Sequence, residues 1–180
     1  PGIPGLANMC AHMDFKGTEK IGTTEYAAEK GAQRAVETAY KTYDLARRQP
    51  MHRDAARVGQ LEKAWKDAIA AADKYVVKNE FSKIVGGAGG TGMNASTYPD
   101  QTVYFYSLPS NRVELWAYLE SERFLHPVFR EFYKERDVVM EERRFRVESN
   151  PIGRLLEQFI SAAYTVHPYK AAGPSGSRSD

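Results

Sequence analysis

The residues with the most chemically suggestive spacing lie in Gly5-Leu-Ala-Asn8-Met-Cys-Ala11-His12-Met-Asp-Phe-Lys-Gly-Thr18. Positions i and i+4 share one face of a helix. In the frame H-x-x-E-H, two histidines placed that way hold one zinc ion through neutral imidazole nitrogens. The glutamate just before the second histidine is the general base for the zinc-bound water. This chain reads Asn8-x-x-Ala11-His12 in the same frame. An amide oxygen is a weak, neutral zinc ligand beside imidazole, and the methyl group of Ala11 moves no proton. Loss of a general base alone removes about 10²–10⁴-fold of rate. By itself, one histidine on an apolar helix is more often a core residue than a ligand.

A second set of candidates lies in Glu135-Arg-Asp-Val-Val-Met-Glu-Glu142-Arg-Arg-Phe-Arg-Val-Glu148. Glu135 and Glu142 are two helical turns apart and share a face. Charge runs of this kind are more often solvated faces laced with i,i+4 pairs. Arg143, Arg144, Arg146 and Lys134 are read as such a face and not as a nucleic-acid patch. Gly87-Ala-Gly89-Gly-Thr-Gly92 matches G-x-G-x-x-G, but a strand-like segment follows where a dinucleotide site needs a helix. Gly86 to Gly92 is read as a glycine-rich loop, and a flexible turn at the mouth of the site is expected there instead. His52 is expected at the surface in a helical break, and His126 at a helix start before Pro127. His167 is not expected to be a ligand.

These residues need elements to position them. Leu6 to Phe15 reads as a short buried helix ended by Gly17. From about Thr24 to Lys78 the chain is polar and alanine-rich. Ala32, Val36, Ala39, Tyr43 and Ala46 recur at helical spacing, as do Leu61, Trp65, Ala68, Ile69, Ala72 and Val76. A break near Gln49-Pro50 makes this a helical hairpin with narrow apolar stripes, lying on the surface. Asn94–Thr97 and Thr102–Leu108 read as strands joined at Pro99-Asp100. Ser110 is the expected N-cap of a helix running from Asn111 to about Arg123, with Val113, Trp116, Ala117 and Leu119 inward. A longer helix is expected from Pro127 to about Ser149. Asn150-Pro151 then opens another through Tyr164, as an N-cap with proline at the first helical position. Lys170 to Asp180 is expected to be extended. The expected class is α+β, an antiparallel sheet packed against helices.

Taken in order along the chain, these segments resemble the pitrilysin/insulinase family of inverted zinc peptidases (inverzincins), which includes the mitochondrial processing peptidases. The resemblance rests on Gly5 to Thr18, Asn94-Ala-Ser-Thr97, Thr102-Val-Tyr-Phe, Leu108-Pro, Glu114-Leu-Trp, Leu119-Glu-Ser-Glu-Arg123, Glu135 to Glu148 and His167-Pro-Tyr169. It implies that His12 and Glu142 are metal ligands, with Asn8 in the place of the lost first histidine. It implies that Ala11 stands where the catalytic glutamate belongs and that Glu135 supports the site. It further implies that Asn94, Ala95, Ser96 and Thr97 form an edge strand pairing with extended peptide substrates, a β-augmentation that needs only backbone groups. Zinc is the implied cofactor, bound weakly or not at all by this donor set. The implied partner is a second peptidase-like half or subunit, in a soluble bacterial periplasmic or cell-envelope setting.

The bulk numbers agree with that frame. The 180 residues are enough for one domain, with 42% apolar and 27% charged residues. A net charge of +2 carries no nucleic-acid signal, and the single cysteine, Cys10, rules out an internal disulfide framework. No apolar run approaches the roughly 18 residues of a membrane span. Residues 1–180 are expected to be part of one peptidase-like N-terminal domain, incomplete in sheet, with 24–80 a helical-hairpin insertion. Three readings follow. One is a zinc metallopeptidase domain inactivated at Asn8 and Ala11. Another is a non-catalytic peptide-binding or regulatory subunit of a heteromeric peptidase. The last is a hairpin interaction module unrelated to peptides, for which Asn8, His12 and Glu142 would not converge.

Overall fold

The computed structural model describes residues 5–49 and 54–171. It is an α+β chain of seven α-helices and one antiparallel pair of strands among the described residues. The expectations for Pro50, for His52 and for most of the 170–180 tail lie outside that range.

Helix α1 (Leu6–Met13) ends at Asp14, earlier than Gly17. Of its residues Ala11 and Met13 are buried, while Leu6 is half exposed. Gly17 instead closes a tight loop, with φ at +113° and no room for a Cβ beside the Ile21 carbonyl and Arg130. Helices α2 (Tyr26–Arg48) and α3 (Ala55–Ala72) pack together as a hairpin. Asp54 caps α3 by accepting from the Ala56 and Arg57 amides. An aromatic cluster ties the hairpin to the rest. Tyr40 lies 5.2 Å from Trp65 and 4.4 Å from Tyr133, ring centre to ring centre.

Helix α4 (Glu80–Gly87) takes the first two glycines of the expected loop into its last turn. Gly90 packs against Val85 and Leu108, and Gly92 lies inside β1 (Thr91–Thr97) with φ at +67°. The glycine-rich stretch is thus a helix end, a turn and a bulged strand. β1 pairs with β2 (Thr102–Ser107), Asn94 opposite Phe105 and Thr97 opposite Thr102, with one extra residue between Thr91 and Asn94. Gly92 supplies the left-handed conformation that such a bulge uses. Along β2, half-buried Thr102, Tyr104 and Tyr106 alternate with exposed Val103, Phe105 and Ser107.

Helix α5 (Val113–Leu125) is preceded by a 3₁₀ turn at Ser110–Arg112, so Ser110 caps nothing. Val113, Trp116 and Ala117 are exposed; of the expected inward set only Leu119 is buried, joined by Glu122 and Arg123. Two charged residues take the inward face because each meets a partner there. Glu122 accepts from Thr18 and Lys20. The Arg123 guanidinium sits 4.4–4.8 Å from the ring centres of Phe15, Phe81 and Tyr104. His126 closes α5, its amide donating to the Glu122 carbonyl, and does not start the next helix. Residues 127–131 are irregular, with Pro127 bridged to Thr18 and Glu131 left-handed. Helix α6 therefore begins at Phe132, runs to Arg143, and passes into a π-helical turn over Arg144–Glu148. Asn150 caps α7 (Pro151–Ala163) by accepting from the Ile152 and Gly153 amides. Ile21, Phe81, Val85 and Leu119 form the buried core beside the sheet.

The strongest tie between distant segments is polar. Arg130 Nε donates to Glu29 Oε1 at 2.7 Å and Nη2 to Glu29 Oε2 at 3.1 Å. The same guanidinium donates to the carbonyls of Lys16, Thr18 and Ile21. Both side chains are 1% exposed. Removing one partner of such a pair strands a buried charge, at a cost of about 3–5 kcal/mol. Arg130→Met is expected to destabilise the chain by about that amount in urea unfolding. Glu29→Leu with Arg130→Met is expected to recover only part of the loss, because the Lys16 and Thr18 carbonyls lose their donor while the Ile21 carbonyl keeps the Thr18 amide. A single replacement costing under about 1 kcal/mol would contradict this reading.

Candidate functional site

α1 packs across α6 and against β1, and the three elements enclose a cleft of about 720 Å³. Asn8, Ala11, His12, Asn94 to Thr97, Glu135 and Glu142 all line it. Every candidate site residue from the sequence therefore lines one cleft, and α1 and α6 bring theirs together from more than 120 residues apart in the chain.

His12 is bracketed by two carboxylates. Its Nδ1 lies 3.3 Å from Glu135 Oε2 and its Nε2 3.6 Å from Glu142 Oε2. With Nδ1–H directed at Glu135, Nε2 is the nitrogen turned toward Glu142 and Asn8. Asn8 Nδ2 donates to Glu142 Oε2 at 3.2 Å. The other Glu142 oxygen is 2.9 Å from Arg146. Glu135 is held from its second oxygen by Lys16 at 2.5 Å, and Lys16 also reaches Glu131 at 3.3 Å.

Lys16 and Arg146 are the residues that sequence reasoning missed here. Their signal was faint. Lys16 follows His12 by four residues, but α1 has ended by then, and Arg146 was absorbed into a basic run. Tyr104 was missed too. Its hydroxyl donates to Asp14 and, with burial as the larger cause, its ionisation is pushed well above the ordinary tyrosine range. That bond ties β2 to the end of α1. Burial and then Asp14 also raise the Cys10 thiol above its usual value, so it is not an activated nucleophile.

A tetrahedral zinc ion with ligands at about 2.0–2.2 Å holds its donor atoms roughly 3.4 Å apart. His12 Nε2 and Glu142 Oε2 meet that spacing. The third protein donor does not. Asn8 offers a neutral amide whose N–H₂ is already bonded to the ligand carboxylate, and no titratable side chain stands at Ala11. Catalytic zinc sites use three strong protein donors. Among the described residues no three His, Cys, Asp or Glu side chains gather as a metal site. The residues present do not fit a catalytic zinc ion.

The cleft thus sets a carboxylate-bearing helix across a histidine-bearing helix, with a strand along the same side. The sequence profile of Insulinase (Peptidase family M16) matches residues 70–172, more than half of the chain, and the chain belongs to that family. The matched range holds β1, Glu135 and Glu142 but not α1. The chain is 41% identical over 98 residues, 53% of its length, to a protein of Helicobacter pylori named zinc protease PqqE. That alignment covers 22% of the relative's length. No solved structure matches.

The ion pairs beside the cleft make one pH effect testable. Burial pushes the Glu131 carboxyl up, but Lys134 and Lys16 outweigh it and hold it below the usual carboxylate range. A lowered folded value contributes stability above the unfolded value of about 4.3, lost as pH falls through the folded one. Glu131→Gln is expected to lower the urea midpoint at pH 7, and the difference from the unaltered chain is expected to shrink as pH falls below about 4.3 toward the lowered folded value. Parallel curves from pH 3 to 7 would contradict it.

Proposed function

We propose that this chain is an inverzincin-type zinc metallopeptidase domain that retains the peptide-binding cleft and has lost its water-activating chemistry. The observation that carries the reading is the Asn8 amide bonded to Glu142 in the cleft that also contains His12 and the β1 edge. In this reading Asn8 occupies the first ligand position, His12 and Glu142 the second and third, and Ala11 the position of the base. Glu135 supports His12 from Nδ1. Hydrolysis needs a group that takes the proton of the attacking water, and Ala11 offers none.

Peptide capture makes a different demand. Asn94–Thr97 lie along the cleft on a strand with one paired neighbour. The Ala95 N–H donates to its neighbour's side chain, Asn94 Oδ1, at 2.8 Å, a bond that an extended peptide's carbonyl can take over. We assign extended peptides as ligands, a second peptidase-like half or subunit as partner, and a periplasmic or cell-envelope setting. The hairpin of residues 24–80 is read as an insertion in one domain spanning residues 1–180.

The second reading, a natural non-catalytic subunit, is favoured by the full compensation of Glu142 by Asn8, His12 and Arg146. The third, a hairpin module without peptides, requires Asn8, His12 and Glu142 to lie apart, against separations of 3.2 and 3.6 Å.

Zinc content after equilibrium dialysis separates these readings. The unaltered protein is expected to retain clearly less than one zinc per chain, and Asn8→His to raise zinc affinity at least tenfold. Asn8→His with Ala11→Glu is expected to restore zinc-dependent cleavage if the domain is a disabled enzyme. Bound zinc without turnover would mark the non-catalytic subunit. Zinc-dependent cleavage by the unaltered protein would overturn the proposal.

A further inference from the structure

A second cleft, of about 620 Å³, opens where α2 and the end of α3 meet residues 129–134. It contains none of Asn8, His12 or Glu142, and it is independent of the function proposed above. Its lining is apolar in part: Val36 is buried, Ile69 and Ala72 are half-buried, and Phe129 and Phe132 are 51% and 38% exposed. Two large aromatic side chains thus present apolar surface to the concavity.

The rim is basic. Lys30, Arg34 and Lys41 all line the cleft from α2. Their spacing of four and then seven residues puts them on one helix face, and all three are exposed. At 1.5 Å per residue the row is about 16 Å long. None of the three makes an ion pair among the described residues; Lys30 lies only over the Tyr26 ring, at 5.6 Å. The acidic groups of the cleft are mostly engaged elsewhere. Asp73 and Glu131 pair with Lys134, and Glu37 accepts from the Tyr133 hydroxyl. Three unpaired cations therefore face one carboxylate, Glu37, that has no cationic partner.

We propose that this groove docks an acidic amphipathic segment of a partner polypeptide. Its carboxylates would lie along Lys30, Arg34 and Lys41, and its apolar side chains on Phe129 and Phe132. A compact anion would meet only one or two cations of a row this long and would leave the aromatic floor uncovered. A helical or extended segment spans the row and covers the floor together, the usual division between charge that orients and apolar anchors that bind.

The test is selection of a random 16-residue displayed peptide library on the unaltered protein, with counter-selection on Lys30→Glu/Arg34→Glu/Lys41→Glu. The expected result is enrichment of acidic sequences with aromatic or aliphatic anchors. These synthesised peptides should bind at least tenfold more weakly to the triple variant and weaken steeply with salt. Circular dichroism and urea midpoints check that the variant folds, and Lys30→Gln/Arg34→Gln/Lys41→Gln gives an intermediate loss without charge reversal. Enrichment of neutral or basic peptides, equal binding to the triple variant, or no enrichment over it would overturn the proposal. So would binding to phosphatidylcholine–phosphatidylglycerol vesicles that disappears in the triple variant while no peptide is enriched, which would assign the groove to a membrane surface.

Discussion

The Arg130 guanidinium uses all five of its N–H donors, two on Glu29 and three on the carbonyls of Lys16, Thr18 and Ile21. Those five bonds join the start of α2, the loop after α1 and the irregular segment before α6. Glycine is required where the loop passes closest. A Cβ at Gly17 or Gly22 would lie 2.7 or 2.9 Å from Arg130 Nη1, and both positions have positive φ. The loop after α1 and the segment before α6 are thus fixed to one buried charge. The consequence reaches the cleft, because α1 carries Asn8 and His12 and α6 carries Glu135 and Glu142. Buried ion pairs are weak stabilisers against an apolar replacement. This one fixes how three chain segments meet beside the apolar contacts of Ile21 and Val128.

A second group of polar contacts extends from that anchor into the cleft. Lys16 follows the loop's first turn and bridges Glu131 to Glu135, and Glu135 in turn orients His12. The Asn8–Glu142–Arg146 row then compensates the remaining carboxylate. An amide at position 8 suits this row, since it can donate to Glu142 where a metal-bound imidazole would not. The proposed division of labour follows: peptide capture rests on the backbone of the β1 edge, whereas a strong metal site and a base depend on positions 8 and 11.

Local chemistry was legible in the sequence. Asn150-Pro151 begins α7, and Asn94–Thr97 and Thr102–Ser107 pair around Pro99-Asp100, because caps, turns and β-branched runs act over a few residues. That Asn8, His12, Asn94 to Thr97, Glu135 and Glu142 share one cleft was legible as well, through the ordered resemblance of short segments and not through any single motif. Other features depended on distant partners. Glu29 and Arg130 are 101 residues apart and look like surface charges until paired. The inward face of α5 was misassigned because Glu122 and Arg123 are buried by Thr18, Lys20 and an aromatic cage from three other segments. α4 was hidden because Gly86 and Gly87 read as a loop, yet the helix is held by Phe81 and Val85 in the core. The late start of α6 follows from the bonds that Arg130 makes, which keep residues 127–131 out of the helix.

The central claim is that peptide capture is retained while hydrolysis is lost. It is tested most directly by amide hydrogen exchange of the zinc-saturated full-length protein with an extended peptide, with the peptide analysed afterwards by mass spectrometry. The account predicts slowed exchange along Asn94–Thr97 and an intact peptide. Unchanged exchange along that strand, or a cleaved peptide, would contradict it.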